Sequence, residues 1–186
     1  TVGGSGKTPV AREVLRLLRA AGVEAHALSR GYGGRETGPL RVDLAIHTAE
    51  DVGDEPLMLA LDSPAWIARD RIAGARAAVA AGATTLVLDD AHQNPALKKS
   101  LSLIVVDGET RGDEWPFGDG GVFPSGPMRE PLKAGLARVD AVIVLLPTDM
   151  AEVDPELTAV FGDLPIFIAR LTPAGPPPSG PRLGFA

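Results

Sequence analysis

The segment Thr1-Val2-Gly3-Gly4-Ser5-Gly6-Lys7-Thr8 constrains this chain more than any other stretch. Gly3, Gly4 and Gly6 lack a Cβ and reach positive φ without strain, so the backbone can curl with its N–H groups turned inward. A concave row of N–H groups at the start of a helix is an anion site, and the helix dipole reinforces it. Lys7 is placed to reach β- and γ-phosphates, and the Thr8 hydroxyl is placed to ligate Mg²⁺. Thr1, Val2 and Ser5 complete the loop that would wrap the phosphates. The general pattern G-x-x-x-x-G-K-[ST] has Gly where Thr1 stands; the inner Gly-Gly-Ser-Gly-Lys-Thr is intact. The competing reading is a glycine-rich turn with Lys7 merely solvated.

Downstream, apolar runs alternate with helix-period segments. Val10, Val14, Leu17, Leu18 and Ala21 recur at helical spacing, with Arg12, Arg16 and Arg19 opposite, so a helix is expected over 8–21 and Gly22 ends it. Strands are expected over 23–29, 41–48, 65–68, 84–88, 101–106, 141–146 and 165–169, with those at 84–88 and 101–106 buried. Helices are expected over 54–61, 71–81, 129–138 and 152–161. Residues 30–38 and 108–126 are Gly- or Pro-rich loops. Continuous apolar strands between helices indicate a parallel sheet covered on both faces. The expected fold is therefore α/β, a P-loop NTPase-like three-layer sandwich with a mostly parallel sheet. Its first strand would precede Thr1, and both ends read as cut. Residues 1–171 read as the core domain and the proline-rich 172–186 as a linker into a further region.

Bulk properties narrow the function. The chain has 186 residues, a net charge of -6 and no cysteine. Thiolate chemistry is excluded, and an acidic chain is a poor general binder of nucleic acid. No apolar run approaches the ~18 residues of a spanning helix.

In such a fold ligands bind beyond the C-terminal ends of the strands. The loop at 1–8, residues 30–34, Asp54, Asp89-Asp90 and residues 107–111 all fall at strand exits and are expected to share one crevice. Thr84-Thr85-Leu86-Val87-Leu88-Asp89-Asp90 is an apolar strand ending in two acids. Adjacent carboxylates repel unless a cation compensates, so with Thr8 they form a Mg²⁺ set; the alternative is an exposed capping pair. Asp54 is a candidate general base toward a hydroxyl, or an N-cap of the helix that follows. Arg30, Arg71 and Arg129 could bind phosphate or a charged transition state, or be surface arginines. Tyr32 could cover a nucleotide base or cap its turn.

Five motifs occur in order: the loop through Pro9; Ser29-Arg30-Gly31-Tyr32-Gly33-Gly34; Val52-Gly53-Asp54-Glu55-Pro56; Leu88-Asp89-Asp90 with Gln93; and Pro124-Ser125-Gly126-Pro127-Met128-Arg129-Glu130-Pro131. Together they resemble the tetraacyldisaccharide 4'-kinase family of lipid A synthesis, across nearly the whole chain. The resemblance implies transfer of the ATP γ-phosphate to the 4'-hydroxyl of tetraacyldisaccharide 1-phosphate, giving lipid IVA, at the cytoplasmic face of a bacterial inner membrane. It implies ATP and Mg²⁺ as cofactors, and membrane contact through segments outside this chain. It places Lys7 and the loop amides on the phosphates, and Thr8, Asp89 and Asp90 around Mg²⁺. Asp54 would be the base, with Arg71, Gln93 and Arg129 near the site. The family's usual Asp-Asp-Gly-Phe-Gln-His is Asp89-Asp90-Ala91-His92-Gln93-Asn94 here, and the 107–126 loop is longer than usual. The family's N-terminal membrane-associated helices would precede Thr1, and its later histidine would follow Ala186. Two other readings stay open: a nucleotide-switched ATPase of the partitioning type, which usually has Lys where Val2 stands, and an inactive nucleotide-binding fragment.

Overall fold

A computed structural model describes residues 6–111 and 115–172. Thirteen elements follow in order: α1 (Lys7–Ala20), β1 (Ala25–Ser29), β2 (Leu40–Arg41), α2 (Ala49–Val52), α3 (Asp54–Ala60), β3 (Ala65–Ile67) and α4 (Arg71–Ala80). Then come β4 (Thr85–Leu88), β5 (Leu103–Asp107), α5 (Leu132–Leu136), β6 (Ala141–Leu145), α6 (Pro155–Phe161) and β7 (Ile166–Ala169). The proline-rich tail lies outside the described residues from 173 onward.

The strands form two sheets, ordered β2-β3-β1-β4 and β5-β6-β7. All pairings are parallel except β2 with β3. β1 is the central strand of the first sheet, and all five of its residues are buried. Its alternation divides the core into two layers. Ala25 and Ala27 face Ala11 and Leu15 of α1 and Leu59 of α3. Leu28 faces the other way, with Trp66, toward Ala78 of α4. That is the α/β/α layering expected from continuous apolar strands. The second sheet has its own core of Val106, Phe117, Val142, Val144, Leu157 and Phe161.

Several local outcomes depart from the sequence expectations. The strand expected over 41–48 shrinks to Leu40–Arg41. Residues 43–47 instead turn, with the Ala45 N–H donating to Asp43 Oδ1 and the Asp43 N–H to His47 Nδ1. The capping pair Thr48 and Asp51 then starts α2, an element the alternating pattern concealed. The helix expected over 129–138 covers only 132–136, because Pro131 precedes it as N-cap. β4 and β5 are half-buried rather than buried. Among the described residues, each pairs along one edge only, β4 with β1 and β5 with β6. α1 lies against β1, β4 and β5.

Candidate active site

The site begins where α1 begins. Gly6 takes φ +70° as its N-cap, a conformation that L side chains rarely adopt. A Cβ there would also press on the Leu145 side chain, which would have to shift. Lys7 and Thr8 form the first turn. Pro9 is tolerated there because first-turn N–H groups have no helical partner. Thr1, Val2, Gly3, Gly4 and Ser5 lie outside the described residues.

Thr8 is buried, and its Oγ1 donates to Asp89 Oδ2 at 3.3 Å across 81 residues of sequence. Asp89 follows β4 and is itself 4% exposed. Its N–H donates to the Leu28 carbonyl, which fixes the turn to the end of β1. Burial pushes the Asp89 carboxyl above the usual carboxylate range, with Asp90 adding to the rise. The Thr8 hydroxyl and Lys7 oppose it. The glycine-loop helix and the acidic strand end therefore meet, as the two motifs predicted.

Asp90 adopts φ +50°, unusual for a residue with a side chain. Both of its carboxylate oxygens accept from Arg129 Nη1, at 2.9 and 2.8 Å. Arg71 is 5% exposed at the start of α4. Its Nη2 donates to the Asp89 carbonyl at 3.3 Å, and its Nη1 is buried with no partner among the described residues. Burial lowers the guanidinium pKa, Arg30 adds to that, and Asp90 and Asp89 oppose it. A buried guanidinium nitrogen with no acceptor, beside a strand-end carboxylate and the start of α1, suits an incoming phosphate oxygen.

α3 closes the other side. Asp54 is its first residue, and Gly53, not Asp54, is the N-cap. Asp54 is exposed, and its Oδ1 accepts from the Glu55 N–H. Gly53 takes φ +88°, and a Cβ on it would lie 2.3 Å from the Tyr32 carbonyl. The Gly-rich loop thus packs by its backbone against the α2–α3 joint. The Tyr32 ring is 84% exposed. Glu55, which follows Asp54 in the third motif and was given no role from the sequence, is half-buried. Its carboxyl is raised by burial and then by Asp89, Asp54 and Asp90, while Lys7 opposes the rise. One side chain so feels four of the expected site residues. Its position next to Asp54 was the available signal.

Gln93 donates to Glu130 Oε1 at 2.8 Å. Arg111, expected near the crevice, is used elsewhere: its guanidinium pairs with Glu109 and Asp149. This network holds Glu109 down to about 2.

The chain matches the family described as tetraacyldisaccharide-1-P 4'-kinase over residues 1–177. The chain belongs to that family. It is similar to the tetraacyldisaccharide 4'-kinases of Caulobacter vibrioides strain CB15N, at 66% identity over 100% of this chain and 56% of the relative, and Phenylobacterium zucineum, at 64% over 100% and 55%. The corresponding protein of Rhodospirillum centenum is 56% identical over 92% of this chain and 48% of its own length. Among solved structures, LpxK from Aquifex aeolicus in complex with ATP superimposes with a TM-score of 0.70 at 27% identity, over 90% of this chain and 50% of that one. The chain thus spans about half the length of the relatives it matches. The P-loop NTPase-like α/β fold expected for the family is the fold observed.

Proposed function

We propose that the full-length protein containing this chain transfers the γ-phosphate of ATP to the 4'-hydroxyl of tetraacyldisaccharide 1-phosphate, giving lipid IVA. The single observation that carries the proposal is the junction of Thr8, Asp89 and Arg71. A buried hydroxyl meets a buried carboxylate, and beside them a buried guanidinium nitrogen lacks an acceptor among the described residues. Phosphoryl transfer is catalysed by positioning and charge neutralisation, and these groups supply both.

In this reading Lys7 and the amides of residues 1–6 hold the β- and γ-phosphates, and Arg71 receives a γ-phosphate oxygen. The donor set of Thr8 Oγ1, Asp89 and Asp90 is all hard oxygen, which fits Mg²⁺; when bound, the ion would neutralise phosphate charge. Asp54, exposed at the start of α3, takes the proton of the 4'-hydroxyl. The hydroxyl oxygen bonds to the γ-phosphorus, the bond from that phosphorus to the β–γ bridging oxygen breaks, and ADP leaves. Arg129 stands by at Asp90 to meet charge as it develops. Gln93 contributes through Glu130. Tyr32, which is exposed, would cover the nucleotide base.

An acceptor with four acyl chains resides in a bilayer, and the proposed location is the one the family resemblance implies, the cytoplasmic face of the bacterial inner membrane. No described helix is long and apolar enough to cross a membrane. The net charge of -6 argues against nucleic acid as a partner.

The test is transfer of labelled γ-phosphate from ATP to the lipid acceptor by the full-length protein, wild type beside Asp54→Asn. Asp54→Asn is expected to bind ATP normally and to lose about 10²-fold or more in kcat. Turnover within a few-fold of wild type would remove Asp54 from the base role. No transfer by the wild type would remove the kinase assignment.

A further inference from the structure

The turn after β4 is tied to the segment around α5 at three points. Asp90 accepts from Arg129, Gln93 donates to Glu130, and His92 bonds to α5 itself. The first two use charged groups that an incoming cation or phosphate competes for. The third does not. His92 Nε2 lies 3.1 Å from the Gly135 carbonyl, and Nδ1 lies 3.1 Å from Ser102 Oγ. A carbonyl only accepts, so Nε2 carries the proton, and Nδ1 accepts from the Ser102 hydroxyl. Ser102 is itself anchored, since its N–H donates to Asp140 Oδ2 at 2.6 Å and its carbonyl accepts from the Asp140 N–H. The imidazole side chain is 18% exposed, so neither bond is freely exchanged with water. His92 thereby links the exit of β4 in one sheet to the entry of β5 and the flank of β6 in the other.

We infer that His92 is a positioning residue for phosphoryl transfer: its bond to Gly135 pins α5, and with it the backbone of Arg129 and Glu130, beside the Asp89–Asp90 turn. The inference rests on the kinase reading above. Glu130 is held from outside by Arg138 Nη2, which donates to both of its carboxylate oxygens at 2.7 and 2.6 Å and so ties the two ends of the 130–138 segment together. Once Asp90 turns toward a cation, the Arg129 side chain is released. Its backbone must then be held by something indifferent to ligand charge. The His92–Gly135 bond meets that need. A phenyl ring in place of the imidazole would offer no hydrogen bond to the Gly135 carbonyl.

The test compares full-length wild type, His92→Phe and His92→Gln. Gln places an amide donor near the position of Nε2, so it keeps the bond to Gly135 and drops the one to Ser102. His92→Phe is expected to lower kcat about 10-fold with KM for ATP unchanged within about 2-fold, and His92→Gln to restore kcat to within about 3-fold. Equal kcat in all three proteins overturns the inference. So does a loss in kcat that Gln fails to rescue, since that marks general damage. Hydrogen exchange supplies a readout without activity. The amides of Ala134, Gly135 and Ala137 bond within this segment. They are expected to exchange at least about 5-fold faster in His92→Phe alone, with α1 and β1 unchanged. Unaltered exchange there disproves the pin whatever the protein phosphorylates. Absence of transfer by the wild type would instead fail the kinase reading and the catalytic half of the inference, while exchange still decides whether the pin exists.

Discussion

Arg71→Met separates a residue kept for chemistry from one kept for the fold, because the two roles predict opposite signs. Arg71 is 5% exposed, its Nη1 has no acceptor among the described residues, and its Nη2 makes one long bond of 3.3 Å to the Asp89 carbonyl. A buried donor left unsatisfied costs about 1–3 kcal/mol, and more when charged. Methionine fills a similar stem volume without a charge, and replacing buried charges by apolar groups is commonly neutral or stabilising by about 1–4 kcal/mol. Against that stands the lost bond to Asp89, about 1 kcal/mol, together with the attraction to Asp89 and Asp90. The nucleotide-free variant is therefore expected to gain about 1 kcal/mol, a rise of about 2–4 °C in Tm for a domain of this size. In catalysis the same nitrogen is a preorganised donor for the transferring phosphoryl group, and losing one such donor costs about 3–4 kcal/mol, or 10²–10³ in kcat. Thermal melts without nucleotide, run beside steady-state transfer to the lipid acceptor in the full-length protein, read both numbers. A variant that melts several degrees lower while retaining turnover would refute the reasoning, because it would make Arg71 a structural residue. Arg71→Lys is the companion: it keeps the charge but not the fork, and is expected to recover little of the lost rate.

Two further outcomes concern the scaffold. His26 is 2% exposed, and its Nδ1 accepts from Trp66 Nε1 at 3.2 Å. Burial depresses its pKa, with Glu24 opposing, so the fold holds it neutral. A depressed histidine contributes stability that is present above its ordinary value of about 6.5 and lost as pH falls toward the folded value. Denaturation midpoints of the wild type should therefore decline below about pH 6.5, and His26→Gln should flatten that slope; equal slopes would show that His26 does not carry it. Gly53→Ala must place a Cβ 2.3 Å from the Tyr32 carbonyl at φ +88°. It is expected to cost about 3 kcal/mol in denaturant titration and to reduce turnover by displacing Asp54. A cost under about 0.5 kcal/mol would mean that the α2–α3 joint is not held by this contact.

What was legible in the chain was whatever depends on neighbours in sequence. The left-handed Gly6, the helix that starts at Lys7, the apolar β1 and the acids ending β4 each rest on local conformational freedom or on periodicity. Local order also brought Thr8 and Asp89 to the ends of elements that a parallel sheet aligns, so their meeting was predictable. The strand expected over 41–48 failed because alternation alone does not measure hydrogen-bonding partners, and the Asp43–His47 turn and the Thr48–Asp51 cap satisfy that backbone locally instead. Tertiary structure alone decided what burial and long-range charge decide. It sealed Arg71 with one nitrogen unpaired among the described residues, set Glu55 within the field of three aspartates, and joined Asp90 to Arg129 across 39 residues. Those outcomes depend on how far water is excluded and which distant side chains share the space, and neither quantity is written in any window of the sequence.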